Sequence, residues 1–292
     1  MEEHDWLAER FEKNRSHLRA VAYRMLGSLS EADDAIQETW LRLSRSDVDA
    51  VKNLGGWLTT VVARVCLDML RSRHSRGEVP LSADEPKPIA SGEADPEQEM
   101  LLADSVGLAL LVILDRLTPA ERLAFVLHDM FAVSFEEIGR IVGRSVPAAR
   151  QLASRARRRV HGAARVPDTD ISEQREVAIA FLAALLAGDF EALLAVLDPD
   201  VVIRIDQAAG RPGAPSEIRG ARAWASGALA FSRYVRSVEP AVVDGSIGLI
   251  WAPRGRLRRV LRFSIAHGKI ARIEIVANPD RLRQLDLGVL NG

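Results

Sequence analysis

Cysteine is nearly absent: the 292 residues hold a single one, Cys66, so no internal disulfide can close. Neither charge sign dominates. With 39 basic and 40 acidic side chains the formal net charge is −1, so affinity for nucleic acid must come from segregated patches and not from the overall field. Long apolar runs are missing too. The longest, residues 177–187, falls well short of the roughly 20 residues that span a bilayer. The start, Met1-Glu2-Glu3-His4-Asp5, is acidic where a secretory signal would be basic and then apolar. A cytoplasmic protein without a membrane segment is expected. What the chain does have, 48% hydrophobic and 27% charged residues, suits a globular protein of two or three domains, and no internal repeat is visible.

Two breaks divide it. Residues 76–99 carry Pro80, Pro86, Pro88 and Pro96, many acids and almost no large apolar side chains, the composition of a flexible acidic linker. A shorter break passes through Gly162, Pro167, Asp168 and Asp170. The expected domains are therefore 1–75, 101–162 and 173–292, joined by linkers at 76–100 and 163–172.

The first segment reads as helices. Leu18, Val21, Ala22, Met25 and Leu26 recur at the spacing of one buried helical face, and Gly27 offers a stop. A second helix is expected to be capped by Ser30, with Asp33 and Asp34 near its positive dipole end and Ala32, Ala35, Ile36, Thr39, Trp40 and Leu43 inward. A third is expected from near Trp57, burying Leu58, Val61, Val62, Val65 and Met69 and ending in a basic run from Arg71.

The second segment is more specific. Thr118-Pro119-Ala120-Glu121 combines a cap, a proline at the first helical position and the reciprocal acid of a capping box. Ser134-Phe135-Glu136-Glu137 opens a short helix with Phe135, Ile138, Ile141 and Val142 as its apolar positions; Gly143-Arg144 makes a tight turn, and Ser145 caps a longer helix reaching Val160. Capped short helix, glycine turn and second helix form the helix-turn-helix layout. If Ala149, Leu152, Ala153, Ala156 and Val160 are buried, the 100° step puts Arg150, Gln151, Ser154, Arg155 and Arg158 on the opposite side. From Arg144 to Arg159 there are six arginines and no acid. An arginine fork matches a guanine edge or a phosphate, and glutamine can pair with adenine. In isolation such a face is as readily a solvated one; the preceding turn favours DNA.

In the third segment two apolar helices, from Val177 to Leu186 and from Phe190 to Leu197, precede a switch to period two at Val201, Ile203 and Ile205. A later run places Leu257, Leu261, Phe263 and Ile265 on one strand face and Arg258, Val260, Arg262 and Ser264 on the other, and His267-Gly268 marks a hairpin turn. The fold class expected is multidomain: two all-α domains followed by an α+β domain with a curved antiparallel sheet.

Here a resemblance enters. Gly27-Ser28 with Glu31-Ala32-Asp33-Asp34-Ala35-Ile36-Gln37-Glu38-Thr39-Trp40-Leu41-Arg42 resembles the polymerase-binding motif of bacterial sigma factors, and Trp57-Leu58-Thr59-Thr60-Val61-Val62-Ala63-Arg64 is similar to their minus-ten recognition helix. With Leu117-Thr118-Pro119-Ala120-Glu121-Arg122 and the helix-turn-helix, the pattern resembles the extracytoplasmic-function group, which keeps only regions 2 and 4. The resemblance implies that Asp33, Asp34, Gln37 and Glu38 face core RNA polymerase and that Arg64, Arg71 and Arg73 contact promoter DNA. It also implies that the loop around Asn53, Leu54 and Gly55 holds an unstacked base. Trp57 reads most simply as a core anchor, and Cys66 as a small core residue.

The last third resembles SnoaL-like cone domains, through Phe181-Leu182-Ala183-Ala184-Leu185-Leu186-Ala187-Gly188-Asp189-Phe190 and Asn278-Pro279-Asp280-Arg281-Leu282. The whole chain thus resembles the fused SigJ-like class, in which the appended domain regulates the sigma factor. It departs from the commonest subgroup twice: residues 79–86 replace a WLPEP-type motif, and Asp206-Gln207-Ala208-Ala209-Gly210-Arg211 replaces DGGGK. Within the cone, Asp206 and His267 are the candidate bases and Trp224, Tyr234 and Trp251 candidate cavity walls for a small-molecule ligand; no metal or cofactor is expected. Two rival readings are a helix-turn-helix regulator that never touches polymerase and a SnoaL-like enzyme carrying a targeting module.

Overall fold

The computed structural model describes residues 2–46, 53–75, 107–162, 168–210, 215–229 and 237–290. The linker at 76–100, residues 163–167 of the second linker, and Tyr234 lie outside them; residues 168–172, expected as linker, are helical. The chain divides into two compact units, one of Met1–Leu102 and Leu114–Arg157, the other of Ala103–Ile113 and Arg158–Gly292.

In the first unit α1 (Glu2–Leu26), α2 (Leu29–Leu43) and α3 (Leu54–Ser75) pack on one another. The periodic residues of α1 do the packing: Leu18, Val21, Ala22 and Met25 are fully buried. Two expected boundaries shift. The cap of α2 is Ser28, not Ser30, and its side chain makes no capping bond; the two hydroxyls instead lie 3.0 Å apart. Helix α3 begins at Leu54, one turn before Trp57, because Asn53 Oδ1 accepts the Gly56 N–H at 3.0 Å and supplies an earlier cap. Trp57 and Met69 are half-buried, not core anchors.

The helix-turn-helix part of this unit follows the capping signals. Helix α4 (Leu108–Asp115) runs to the unit boundary, and α5 (Pro119–Phe125) carries the complete Thr118–Glu121 capping box. The chain then widens into a π turn, Val126–Met130, which the sequence pattern does not announce. Ser134 caps α6 (Phe135–Val142) by accepting from Glu137 N, and Gly143 at φ 69° forms the left-handed turn that non-glycine residues resist. Helix α7 (Val146–Val160) follows. Helices α5 and α6 pack on α3, and the π turn packs on α1.

The second unit is α+β. Helix α8 (Asp168–Ala187) and α9 (Phe190–Val196, capped by Asp189) lead into β1 (Leu197–Ile205), which starts four residues earlier than its alternation signals. Then come β2 (Glu217–Arg219), α10 (Ala221–Ala228), β3 (Val238–Val243), β4 (Ser246–Trp251), β5 (Arg259–Ala266), β6 (Lys269–Val276), α11 (Pro279–Gln284) and β7 (Leu287–Gly288). The strand order is β2-β1-β6-β5-β4-β3-β7. All neighbours are antiparallel except β1 and β6, which pair in parallel. His267 and Gly268, both at positive φ, close the β5–β6 hairpin.

Both faces of the sheet are covered. On one, Leu249, Phe263, Ile273 and Ile203 join Phe181 of α8 and Trp224 of α10 in a single core. On the other, Ala241, Val243, Ile250, Val260 and Val276 are buried. Val260 is therefore not the solvent-facing residue its place between arginines suggests. The apolar turns of α4 belong here: Leu108, Ala109, Leu111, Val112 and Ile113 are buried, and the Ala109 N–H donates to the Glu239 carboxylate of β3 at 3.0 Å. At the far end of α7, Val289 N–H donates to Val160 O at 2.8 Å. A Cβ on Gly288 would lie 2.9 Å from the His161 and Gly162 backbones, so this approach needs glycine.

Candidate nucleic-acid interface

The apolar stripe of α7 is buried as the periodicity requires, with Ala149, Ala153 and Ala156 at 0% exposure, Val160 at 2% and Leu152 at 3%. Arg150, Gln151, Ser154, Arg155 and Arg158 are all exposed. They are not equivalent. The Arg150 guanidinium lies 5.7 Å from the Phe135 ring centroid, a cation–π contact that steadies it from α6. Arg155 turns inward instead: its Nε lies 3.3 Å from Oε1 of Glu121, a carboxylate that is 5% exposed. Thr118 Oγ1 donates to the same carboxylate at 2.9 Å. Arg157, which the face assignment omits, pairs with Asp129 of the π turn at 2.5 Å. Arg155 and Arg157 brace α7 against the preceding elements, while Arg150, Gln151, Ser154 and Arg158 are left to face outward.

On α2 the acidic group is likewise divided. Arg19 of α1 forms an ion pair with Asp33, its Nη2 donating a hydrogen bond of 2.9 Å, and Glu38 pairs with Arg42 one turn on at 2.8 Å. Asp34 and Gln37 project to solvent. On α3, Arg64 and Arg71 are exposed, whereas Arg73 is drawn into an ion pair with Glu31 of α2.

The loop expected to hold a base opens onto a cavity of about 360 Å³. Asn53, Gly55 and Thr60 line one side; Phe131, Val133 and Ile141, from the helix-turn-helix part, line the other. His17 sits at its floor, 3.2 Å from the Thr59 hydroxyl and edge-on to Phe131, and burial lowers its pKa. Nearby, Arg122 of α5 is 2% exposed. Its Nε donates to the backbone carbonyl of Arg24 near the end of α1 at 3.2 Å, and Asp115 lies 3.4 Å away. Burial lowers the Arg122 pKa, with Asp115 opposing. Sequence reasoning assigned Arg122 to a motif without seeing this. The available signal was the Glu121-Arg122 charge pair directly in front of Leu123-Ala124-Phe125-Val126-Leu127, a stretch apolar on every side.

The described cone candidates, Asp206, Trp224, Trp251 and His267, do not assemble into a site among the described residues. Trp224 stacks on Phe181, with centroids 5.6 Å apart, and Phe263 meets Phe181 edge-on, so these rings fill the interior among the described residues. Trp251 lies at a strand end beneath Arg259. Burial alone would raise the Asp206 pKa, but the N–H groups of Ala208, Asn278 and Ala277 and the charge of Arg281 outweigh it and hold the carboxyl below its usual range. A general base near neutral pH needs the opposite shift. Asp206 is a tie between β1 and α11, and His267 is a turn residue. No cluster of side chains able to hold a metal occurs among the described residues, and no described helix is long and apolar enough to cross a membrane.

A helical bundle with an acidic face, joined to a helix-turn-helix with an arginine face, defines a two-part promoter-recognition protein. The family models agree: Sigma-70 region 2 matches residues 10–76, and Sigma-70, region 4, matches residues 107–160. The chain belongs to the extracytoplasmic-function RNA polymerase sigma factors. It is 36% identical over 286 residues to ECF RNA polymerase sigma factor SigJ of Mycobacterium tuberculosis, a match covering 93% of this chain and 91% of that one. It is 34% identical over 290 residues to the probable ECF RNA polymerase sigma factor SigI of the same species, covering 98% of each. The crystal structure of the M. tuberculosis SigJ matches 94% of this chain and 98% of that chain at 33% identity and a TM-score of 0.45.

Proposed function

We propose that this sigma factor engages core RNA polymerase through Asp34 and Gln37, with Asp33 and Glu38 beside them, and the minus-thirty-five element through Arg150, Gln151, Ser154 and Arg158. Arg64 and Arg71 contact the minus-ten region. The observation that carries the reading is the acid-free, exposed face of α7 set opposite a wholly buried stripe. Arg155 and Arg73 act through their partners Glu121 and Glu31, holding helices in place.

The appended domain tunes the factor through its surfaces and does no chemistry of its own, a reading supported by its aromatic-filled interior and by the depressed pKa of Asp206. The shared cavity supports one more step. At about 360 Å³ it gives an unstacked base room beside the Asn53–Gly55 loop, with the Phe131 ring in its lining as a stacking surface. In vitro transcription with purified core polymerase tests the whole reading. The full chain should direct initiation at its cognate promoter, and Asp34→Ala with Gln37→Ala should lose core binding without losing the fold. Initiation that is independent of those two residues would refute the polymerase-face assignment.

A further inference from the structure

From Gly245 to Ile273 the chain contains no acidic residue and seven basic ones: Arg254, Arg256, Arg258, Arg259, Arg262, Lys269 and Arg272. Four of these arginines fall within six residues at the β4–β5 connection. Arg262 is neutralised, by Asp244 at 3.5 Å and Glu274 at 3.2 Å. Arg256, Arg258 and Arg259 have no acidic partner among the described residues.

Backbone hydrogen bonds define the connection. Pro253–Gly255 forms a 3-10 turn, and backbone bonds Ala252 N to Ser237 O (3.0 Å), Gly255 N to Ala252 O (3.0 Å), Arg256 N to Pro253 O (3.2 Å) and Arg258 N to Trp251 O (2.9 Å) close it. Cross-strand register sets Arg259 directly beside Trp251, and its guanidinium lies 5.2 Å from the ring centroid. Arg259 is half-buried, and burial lowers its pKa with no carboxylate to offset the cost. Positive charge is thus concentrated on a hydrogen-bonded turn, partly desolvated and left unneutralised, beside the half-buried Trp251. Such an arrangement favours a partner that brings its own closely spaced negative charge. Double-stranded DNA, with one charge per ≈ 1.7 Å of its axis, is the polyanion a promoter-binding protein meets.

We propose that the β4–β5 turn of the appended domain is a second, sequence-independent DNA contact, in which Arg256, Arg258 and Arg259 hold backbone phosphates. It goes beyond the region 2 and region 4 contacts, resting on the reading of this chain as a promoter-binding factor only for the choice of polyanion.

The test uses the full chain and a duplex of scrambled sequence, with affinity measured by fluorescence anisotropy from 50 to 200 mM salt. The double variant Arg256→Gln/Arg258→Gln should bind more weakly. The slope of log K against log salt should become shallower by about 2, since each phosphate contact contributes ≈ 0.9. Arg256→Lys/Arg258→Lys should restore the wild-type slope, because a phosphate contact needs charge and not a particular fork. A wild-type slope in the glutamine variant, or a lysine variant that behaves like it, overturns the proposal. So does a glutamine variant that loses affinity for core polymerase and none for DNA. Arg150→Ala, assayed on promoter and scrambled duplexes in parallel, reports separately on the region 4 reading.

Discussion

Arg150 and Arg155 look alike in the sequence, five residues apart on the same arginine-rich face, yet the structure gives them different work. Arg150 is steadied by a ring and free to reach outward; Arg155 is spent on the buried Glu121. Arg150→Ala is expected to cost about 1–3 kcal/mol of promoter affinity if it reads a base, with an unchanged melting temperature. Arg155→Ala is expected to lower the melting temperature, because a 5% exposed carboxylate loses its cation. Calorimetry and promoter binding on the same two variants separate the roles. This split was not legible in the sequence, since helical periodicity assigns a face but cannot name a partner on another helix. The fate of Cys66 was legible. Burial pushes its thiol up to about 12, so above the ordinary thiol range the unfolded chain gives up a proton that the folded chain keeps. Its contribution to stability is therefore constant below about pH 8.5 and declines as pH rises from there toward 12. Cys66→Ala should flatten that alkaline decline in urea titrations, and the native thiol should resist alkylation at pH 8.

Elements announced by caps and turns appear where the sequence puts them: α5 behind Thr118-Pro119, α6 behind Ser134, the Gly143 turn and the His267-Gly268 hairpin. Each is a local signal answered by a local hydrogen bond or a positive φ. Features that depend on distant neighbours were not legible. Val260 is buried because a second layer covers that side of the sheet, and β1 pairs in parallel with β6, which no local pattern encodes. The π turn after α5 has no cap or composition of its own. Gly143 offers a clean test. Nothing lies within 4 Å of where its Cβ would be, so Gly143→Ala meets only the left-handed backbone penalty. A loss of about 1–2 kcal/mol in chemical denaturation is expected, and no loss at all would show that the turn relaxes to another conformation.

For the molecule as a whole, sequence families and structural units do not share their borders. Region 4 of the family model starts at residue 107, yet the apolar turns of α4 are grouped with the appended domain and its N-terminus is capped by Glu239. Composition could not reveal this exchange, because α4 is apolar on all sides and carries no mark of the surface that buries it; nor did it reveal that α8 starts at Asp168, inside the expected linker 163–172. Glu239→Ala should cost about 1 kcal/mol, as loss of a helix cap does. Thermal melts should report that loss, whereas Glu239→Gln, which keeps an acceptor, should retain most of the stability. The clasp at the opposite end of the helix-turn-helix has a use of its own. The Val289 amide is held by the last residue of the arginine-bearing helix, so its hydrogen-exchange rate is a built-in reporter of when that helix end lets go, readable by mass spectrometry after transfer into heavy water.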